Sequence, residues 1–301
     1  MGTPGRIVAP GLVVAGSASA PFAARLATEL GVPLAQSESK RFPDGEGYVR
    51  ILDDVRGRNA VIVQATAPDN NLVELLLWQD ALREAGAAHI TTVIPYLGYA
   101  RQDRLFQGGE AISARAAARA VAGTTDAVIT VDPHKEDILA FFGGKARSVS
   151  AVPQLSAELA RWGVDIVLAP DKGARDRAAH AARLMGARVD HLEKTRLSAT
   201  EVTMRAKDLD VAGARVAIVD DLIASGATMV TAAKQLKAQG AVAVYAACTH
   251  GLFTGNALPR ILGGGIDRVL ATDTCISGPC NCDVVSAAPA VAEALRPRIV
   301  H

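Results

Sequence analysis

Four cysteines in 301 residues, Cys248, Cys275, Cys280 and Cys282, all fall late in the chain and leave nothing to staple the rest of it. That excludes the disulfide framework of a small secreted domain and points to a reducing cytoplasm. Charge of one sign is also missing: 32 Lys plus Arg against 31 Asp plus Glu give a net charge of +1. Nucleic-acid binding needs a basic surplus, so a small-molecule partner is expected instead. Nowhere do about 18 apolar residues run together, as a membrane span requires, and the opening MGTPGRIVAPG has no apolar core behind a basic head. No membrane partner and no leader are expected. The histidines show no HExxH spacing, and CISGPCNC, Cys275 to Cys282, lacks a fourth ligand at paired spacing, so free thiols are expected there rather than zinc.

What is present is a repeated plan. Half the residues are hydrophobic, and a chain of this length suits two domains better than one core. Short Val/Ile-rich stretches, then loops of small or charged residues, then Ala/Leu-rich stretches at helical spacing recur, as in NAVIVQAT followed by LVELLLWQDALREAG and HITTVIPYL. DAVITVDPHKEDILAFF, DIVLAPDKGARDRAAHAARLMG and ARVAIVDDLIASGATMVTAAKQLKAQGA repeat it. The pattern predicts an α/β protein of two similar doubly wound parallel-sheet domains, residues 1–150 and 151–301, with the boundary near Ser150. Strands without polar alternation must be covered on both faces, and ligands of such sheets sit beyond the carboxyl ends of the strands.

The most informative segment is VAIVDDLIASGATM, Val216 to Met229. A buried strand is predicted to end in Asp220 and Asp221, with Ala224, Ser225, Gly226, Ala227 and Thr228 opening a helix. Small residues let backbone amides approach a phosphate, the helix N-terminus adds positive potential, and the Ser225 and Thr228 hydroxyls can donate. Two carboxylates beside an anion cradle suit the vicinal hydroxyls of a ribose, which offer donors to acidic acceptors. The loop is not a Walker A loop, because no Gly-Lys-Ser/Thr follows the glycine.

This segment resembles the ribose 5-phosphate loop of phosphoribosyltransferases and of ribose-phosphate diphosphokinases, also called phosphoribosyl diphosphate synthetases. Four further segments are similar to the diphosphokinases specifically, and the VDPHK and PDKG spellings are closest to the archaeal-type members. The resemblance implies a type I phosphoribosyltransferase-like fold in both halves. Its substrates would be ATP and ribose 5-phosphate, its cofactor Mg2+, and its assembly a homo-oligomer with a nucleotide site shared between subunits. In RFPDGEGYVRI it implies that Phe42 stacks on adenine while Asp44, Gly45 and Glu46 complete the loop, with the two carboxylates accepting hydrogen bonds. In PYLGYARQDRLF it assigns Arg101, Gln102, Asp103 and Arg104 to the nucleotide, and two guanidiniums at a strand end can grip triphosphate oxygens. His134 of VDPHK and Asp171 of PDKG would help hold magnesium at the nucleotide. Lys194 and Arg196 of LEKTRLS, expected on a mobile connection between strands, would close over the reacting phosphates, Arg196 also reaching the ribose 5-phosphate. Two other readings are a salvage phosphoribosyltransferase, which would not need RQDR, VDPHK and KTR together, and a catalytically silent regulatory homologue, which would be expected to have lost the loop cations or metal ligands. THGLF, containing His250, and the residues Trp78 and Trp162 are read as structural.

Overall fold

The computed structural model describes residues 5–196, 202–206, 209–276 and 278–296, with the backbone alone for 194–196 and 202–206. It divides into two compact units, Met1–Ser150 together with Ala287–His301, and Ala151–Ser286. The chain leaves the first unit after Ser150 and returns to it after Ser286.

In the first unit the elements are β1 (Leu12–Ala15), α1 (Ala20–Leu30), β2 (Ser37–Arg41), β3 (Gly47–Ile51), β4 (Asn59–Val63), α2 (Asp69–Glu84), β5 (His89–Ile94), α3 (Ser113–Ala122), β6 (Ala127–Val131) and β7 (Ala146–Val149). Five strands form a parallel sheet in the order β1-β4-β5-β6-β7, and β2 and β3 form a separate antiparallel hairpin whose second strand packs on α2. One face, with Leu12, Ile62, Ile90, Ile94 and Val128, packs against Leu75, Trp78 and Leu82 of α2 and Ala118 and Val121 of α3. The alternate residues Val13, Val61, Val63, Val93, Ile129 and Val131 are equally buried. Their side of the sheet takes α1, which lies on β1 and β4, and a helix from the chain's end that lies on α1 and β7. Both faces are covered, which is why these strands carry almost no polar alternation.

The second unit contains α4 (Val152–Arg161), β8 (Ile166–Ala169), α5 (Arg175–Met185), β9 (Arg188–Arg196), β10 (Val202–Ala206), β11 (Arg215–Ile223), α6 (Ala227–Ala238), β12 (Ala243–Gly251), α7 (Ala257–Gly263), β13 (Arg268–Thr272) and β14 (Asp283–Val285); α8 (Ala288–Leu295) is the helix that goes back to the first unit. The sheet order is β10-β9-β8-β11-β12-β13-β14, parallel except for the β9–β10 pair. Alternation splits its side chains into two cores. Ile166, Val216, Ile218, Val244 and Val269 meet Met229, Leu236 and Ile261 of α6 and α7. Val167, Ala217, Val219, Ala247 and Leu270 meet Leu155 and Leu159 of α4 and Ala178 and Ala181 of α5. This unit is doubly wound as expected, and the antiparallel edge hairpin is an addition to the parallel plan.

Candidate active site

In the second unit β11 does not stop at the acidic pair. Its pairing with β12 runs on through Asp220↔Cys248 and Leu222↔His250 to Ile223↔Gly251, so Asp220 and Asp221 lie inside the strand. Pairing with β8 ends earlier, at Ile218↔Leu168. Strand propensity in Leu222 and Ile223 carries the ladder past the carboxylates. Asp221 is 6% exposed, and Asp220 Oδ1 accepts a hydrogen bond from the Asp221 amide at 2.8 Å. Arg177, in the first turn of α5, places its guanidinium 3.9 Å from Asp220 Oδ1 and 3.9 Å from Asp221 Oδ1. Burial, and then the charge of Asp221, push the Asp220 carboxyl well above the usual carboxylate range, while Arg177 pulls it back.

After the strand, Ala224 is half-buried, Ser225, Ala227 and Thr228 are exposed, and Gly226 is buried with φ +72°. A Cβ on Gly226 would lie 2.3 Å from Cγ1 of Ile261, so only glycine fits. Ala227 is the first residue of α6 and is not left-handed, so alanine is accommodated there without strain. The loop is pinned from behind: the Leu252 and Phe253 amides donate to the Ile223 carbonyl at 3.0 and 3.1 Å, and the Thr254 amide donates to the Ala224 carbonyl at 3.1 Å. The buried His250 bonds Thr274 Oγ1 at 2.9 Å and anchors the same segment. The first amides of α6 have no acceptor within the helix, which makes this turn an anion cradle.

Asp171 is exposed in the turn before α5, where its Oδ1 accepts from the Gly173 and Ala174 amides at 2.8 and 3.1 Å. Lys194 and Arg196 were expected on a loop, yet both lie in β9, opposite Met204 and Val202 of β10. Residues 197–201, including Ser198, lie outside the described residues, as do the Lys194 and Arg196 side chains.

The first unit holds the residues expected at the nucleotide. Phe42, Asp44, Gly45 and Glu46 form the tip of the β2–β3 hairpin, closed by the Phe42 amide on the Glu46 carbonyl, the Glu46 amide on Asp44 Oδ1, Arg41 on the Gly45 carbonyl, and Gly45 at φ +95°. The Phe42 ring is 45% exposed and meets Tyr48 edge-on at 5.9 Å, with Lys40 Nζ 4.7 Å from the Tyr48 ring centre. Arg101 and Arg104 are exposed in the loop after β5, and exposed His134 stands in the loop after β6. Those two loops are tied together by Lys135 Nζ on Asp103 Oδ2 at 2.5 Å, a bond that holds the Asp103 carboxyl below its usual range. Asp103 is thus an internal brace. Glu110, absent from the sequence reading, organises the rest: its Oε2 accepts from Gln102 Nε2, the Phe106 amide and the Gln107 amide at 3.1, 2.7 and 3.0 Å. Nothing in its spacing marks it, because a carboxylate in a charged loop reads as solvated surface. The small-residue turn after β1 looks like a second anion cradle, but Glu74 fills it, accepting from the Ser17 amide and hydroxyl at 2.8 and 2.5 Å.

Among the described residues, three non-glycine positions have left-handed backbone: Tyr99 (φ 64°), Asp132 (φ 33°) and Phe253 (φ 43°). They precede the Arg101 loop, precede His134, and brace the Gly226 loop. Strain of this kind concentrates where a fold holds groups for function. No group of three or more His, Cys, Asp or Glu side chains among the described residues could hold a metal ion, and all four cysteines are free. No helix among the described residues is long and apolar enough to cross a membrane.

Comparison with known proteins places these loops in context. Residues 12–123 match the family model described as the N-terminal domain of ribose phosphate pyrophosphokinase, and residues 192–296 match the phosphoribosyl synthetase-associated domain. A ribose-phosphate pyrophosphokinase of Methanopyrus kandleri is 46% identical over 94% of this chain and 98% of its own. One of Methanosarcina acetivorans is 41% identical over 94% and 99%. The crystal structure of phosphoribosylpyrophosphate synthetase from Mycobacterium smegmatis superposes with a TM-score of 0.84 at 30% identity, covering 95% of this chain and 97% of that one.

Proposed function

The chain belongs to the ribose-phosphate pyrophosphokinase family, and from that premise we propose that it moves the diphosphate of MgATP onto the C1 hydroxyl of ribose 5-phosphate, giving 5-phosphoribosyl 1-diphosphate and AMP. The observation that carries this reading is the pairing of Asp220 and Asp221 with the Gly226 loop. One element accepts hydrogen bonds from a vicinal diol and the other donates to a phosphate. Relatives of that name align over nearly the whole chain, which favours the synthetase over a salvage phosphoribosyltransferase.

On this reading Ser225, Gly226, Ala227 and Thr228 cradle the 5-phosphate, with Ala224 leading into the turn, and Asp220 and Asp221 orient the ribose. Phe42 stacks on the base, Asp44, Gly45 and Glu46 frame it, and Arg101, Gln102 and His134 bind the nucleotide on a loop pair braced by Asp103. The exposed imidazole of His134 in the first unit and the exposed carboxylate of Asp171 in the second are each a sparse donor of the kind Mg2+ takes when it keeps its waters and is held largely by nucleotide phosphates. Such an ion would supply positive charge to neutralise the transferring phosphoryl oxygens. Lys194 and Arg196 supply the remaining positive charge where it develops, and no covalent intermediate is needed. Free cysteines fit a reducing cytoplasm, and the exposed Phe42 ring fits a nucleotide site completed by a second subunit of a homo-oligomer.

The test mixes purified protein with MgATP and ribose 5-phosphate and measures AMP. AMP is expected only when the sugar is present, and sugar-independent AMP would refute the proposal. Lys194→Ala is expected to lower turnover by about a thousandfold, the scale of cationic clamps in phosphoryl transfer; near-normal turnover removes Lys194 from the role.

A further inference from the structure

We propose that Arg177 is a positioning residue for the ribose diol: set 3.9 Å from one oxygen of Asp220 and 3.9 Å from one oxygen of Asp221, its charge opposes proton sharing between the two carboxylates that accept from the sugar. The inference rests on the reading of Asp220 and Asp221 as ribose ligands. At that separation the guanidinium is beyond hydrogen-bonding reach of either oxygen, so its influence is that of charge. A tighter Arg would occupy the very lone pairs that sugar hydroxyls need. The Arg177 side chain is 16% exposed and those of Asp220 and Asp221 are 22% and 9% exposed, so water and salt screen the three charges incompletely.

The alternative is a pair of adjacent buried carboxylates sharing a proton, as like charges in one site do. A proton on the pair competes with the hydroxyl donors for the same oxygens. Asp220 shows the tendency even beside Arg177: burial, the charge of Asp221 and a hydrogen bond between the two side chains push it up to about 8, and Arg177 opposes them. The β8 strand, Ile166–Ala169, has no titratable residue, and neither has the first turn of α6, Ala227 to Val230. On β12, Cys248 interacts with Asp220, but burial raises its thiol well above its ordinary value and leaves it neutral; His250 on that strand is engaged by Thr274. Elsewhere on α5, Arg175 is turned to His191 Nε2 at 2.5 Å, and Asp176 is exposed.

A carboxyl whose pKa is raised binds its proton at higher pH, so removing Arg177 moves protonation of the pair further upward and weakens sugar binding at neutral pH. The test measures KM for ribose 5-phosphate, KM for ATP and kcat between pH 6.5 and 9.5 for the unsubstituted enzyme, R177M and R177K. In R177M the midpoint at which KM for ribose 5-phosphate improves should rise by about one pH unit or more, giving roughly a tenfold higher KM near neutrality. KM for ATP should stay unchanged, and R177K should recover at least half of the shift. An unmoved midpoint, or R177K behaving as R177M, overturns the proposal. If R177M does not fold, R177Q takes its place with the same expectation, and R177Q/D220N leaves one carboxylate of the pair. Its KM profile should be flat, and a persisting titration counts against the role. D220N alone separates the premise from the inference: an unchanged KM for ribose 5-phosphate would remove the diol assignment itself.

Discussion

At Gly226 one missing side chain decides whether the turn between β11 and α6 exists. The residue combines φ +72° with an approach that puts any Cβ 2.3 Å from Ile261. Gly226→Ala is therefore expected to destabilise the fold by about 1–3 kcal/mol, through left-handed backbone strain and a clash in a packed core. The same variant should raise KM for ribose 5-phosphate more than KM for ATP. Equal effects on both substrates, or no shift in thermal midpoint, would show that the turn tolerates a side chain. The glycine's importance was visible in the sequence as part of Ala-Ser-Gly-Ala-Thr. The role of Arg177 was not, because an arginine among the charges of ARDRAAHAAR reads as a solvated helix face until the fold turns it toward β11. Lys135 was hidden for the same reason, since its partner Asp103 lies in another loop, and Glu110 because a carboxylate that folds its own loop spells like a solvated one.

Among the elements, the clearest contrast is between strands and hairpins. Strands buried on both faces announce themselves as runs such as AVIV and VAIV, and the parallel sheets follow from them. Where a strand ends is less legible. Asp220 and Asp221 look like its terminus, yet Leu222 and Ile223 extend the pairing with β12. LEKTR likewise reads as a charged connection, although its backbone pairs with β10 beyond His191, where the pairing of β9 with β8 ends. The β2–β3 hairpin carries Phe42 at its tip, exposed and outside the core, so its loss should cost little stability. Phe42→Ser is expected to raise KM for ATP by roughly tenfold, the worth of one base–aromatic stack, with the thermal midpoint within a degree or so of the parent. An unchanged KM for ATP would remove Phe42 from the nucleotide site.

For the molecule as a whole, the second unit is an insertion in the first. Its two cores draw only on residues between Ala151 and Ser286, whereas the first unit borrows α8 from beyond that segment. Val291 and Leu295 are fully buried, and each is worth about 1.5–3 kcal/mol, a large share of a domain's total of about 5–15 kcal/mol. Residues 151–286 expressed alone should show a cooperative unfolding transition. Residues 1–150 alone should not, and fusing 287–301 to their end through a short flexible linker should restore one. Circular dichroism during thermal and urea unfolding decides both, and a cooperative transition in the bare 1–150 fragment would contradict the dependence. A single sequence could show the halves but not this exchange. VAEALR has the periodicity of a helix that covers a sheet, without any mark of which sheet.

The late return of α8 has a consequence during synthesis. A ribosome adds about 5–20 residues per second, so the first sheet emerges and then waits on the order of ten seconds while the inserted segment is made. Throughout that interval the surface destined for Val291 and Leu295 is bare in the nascent chain, a site that chaperones can recognise and that neighbouring chains on the same message can stick to.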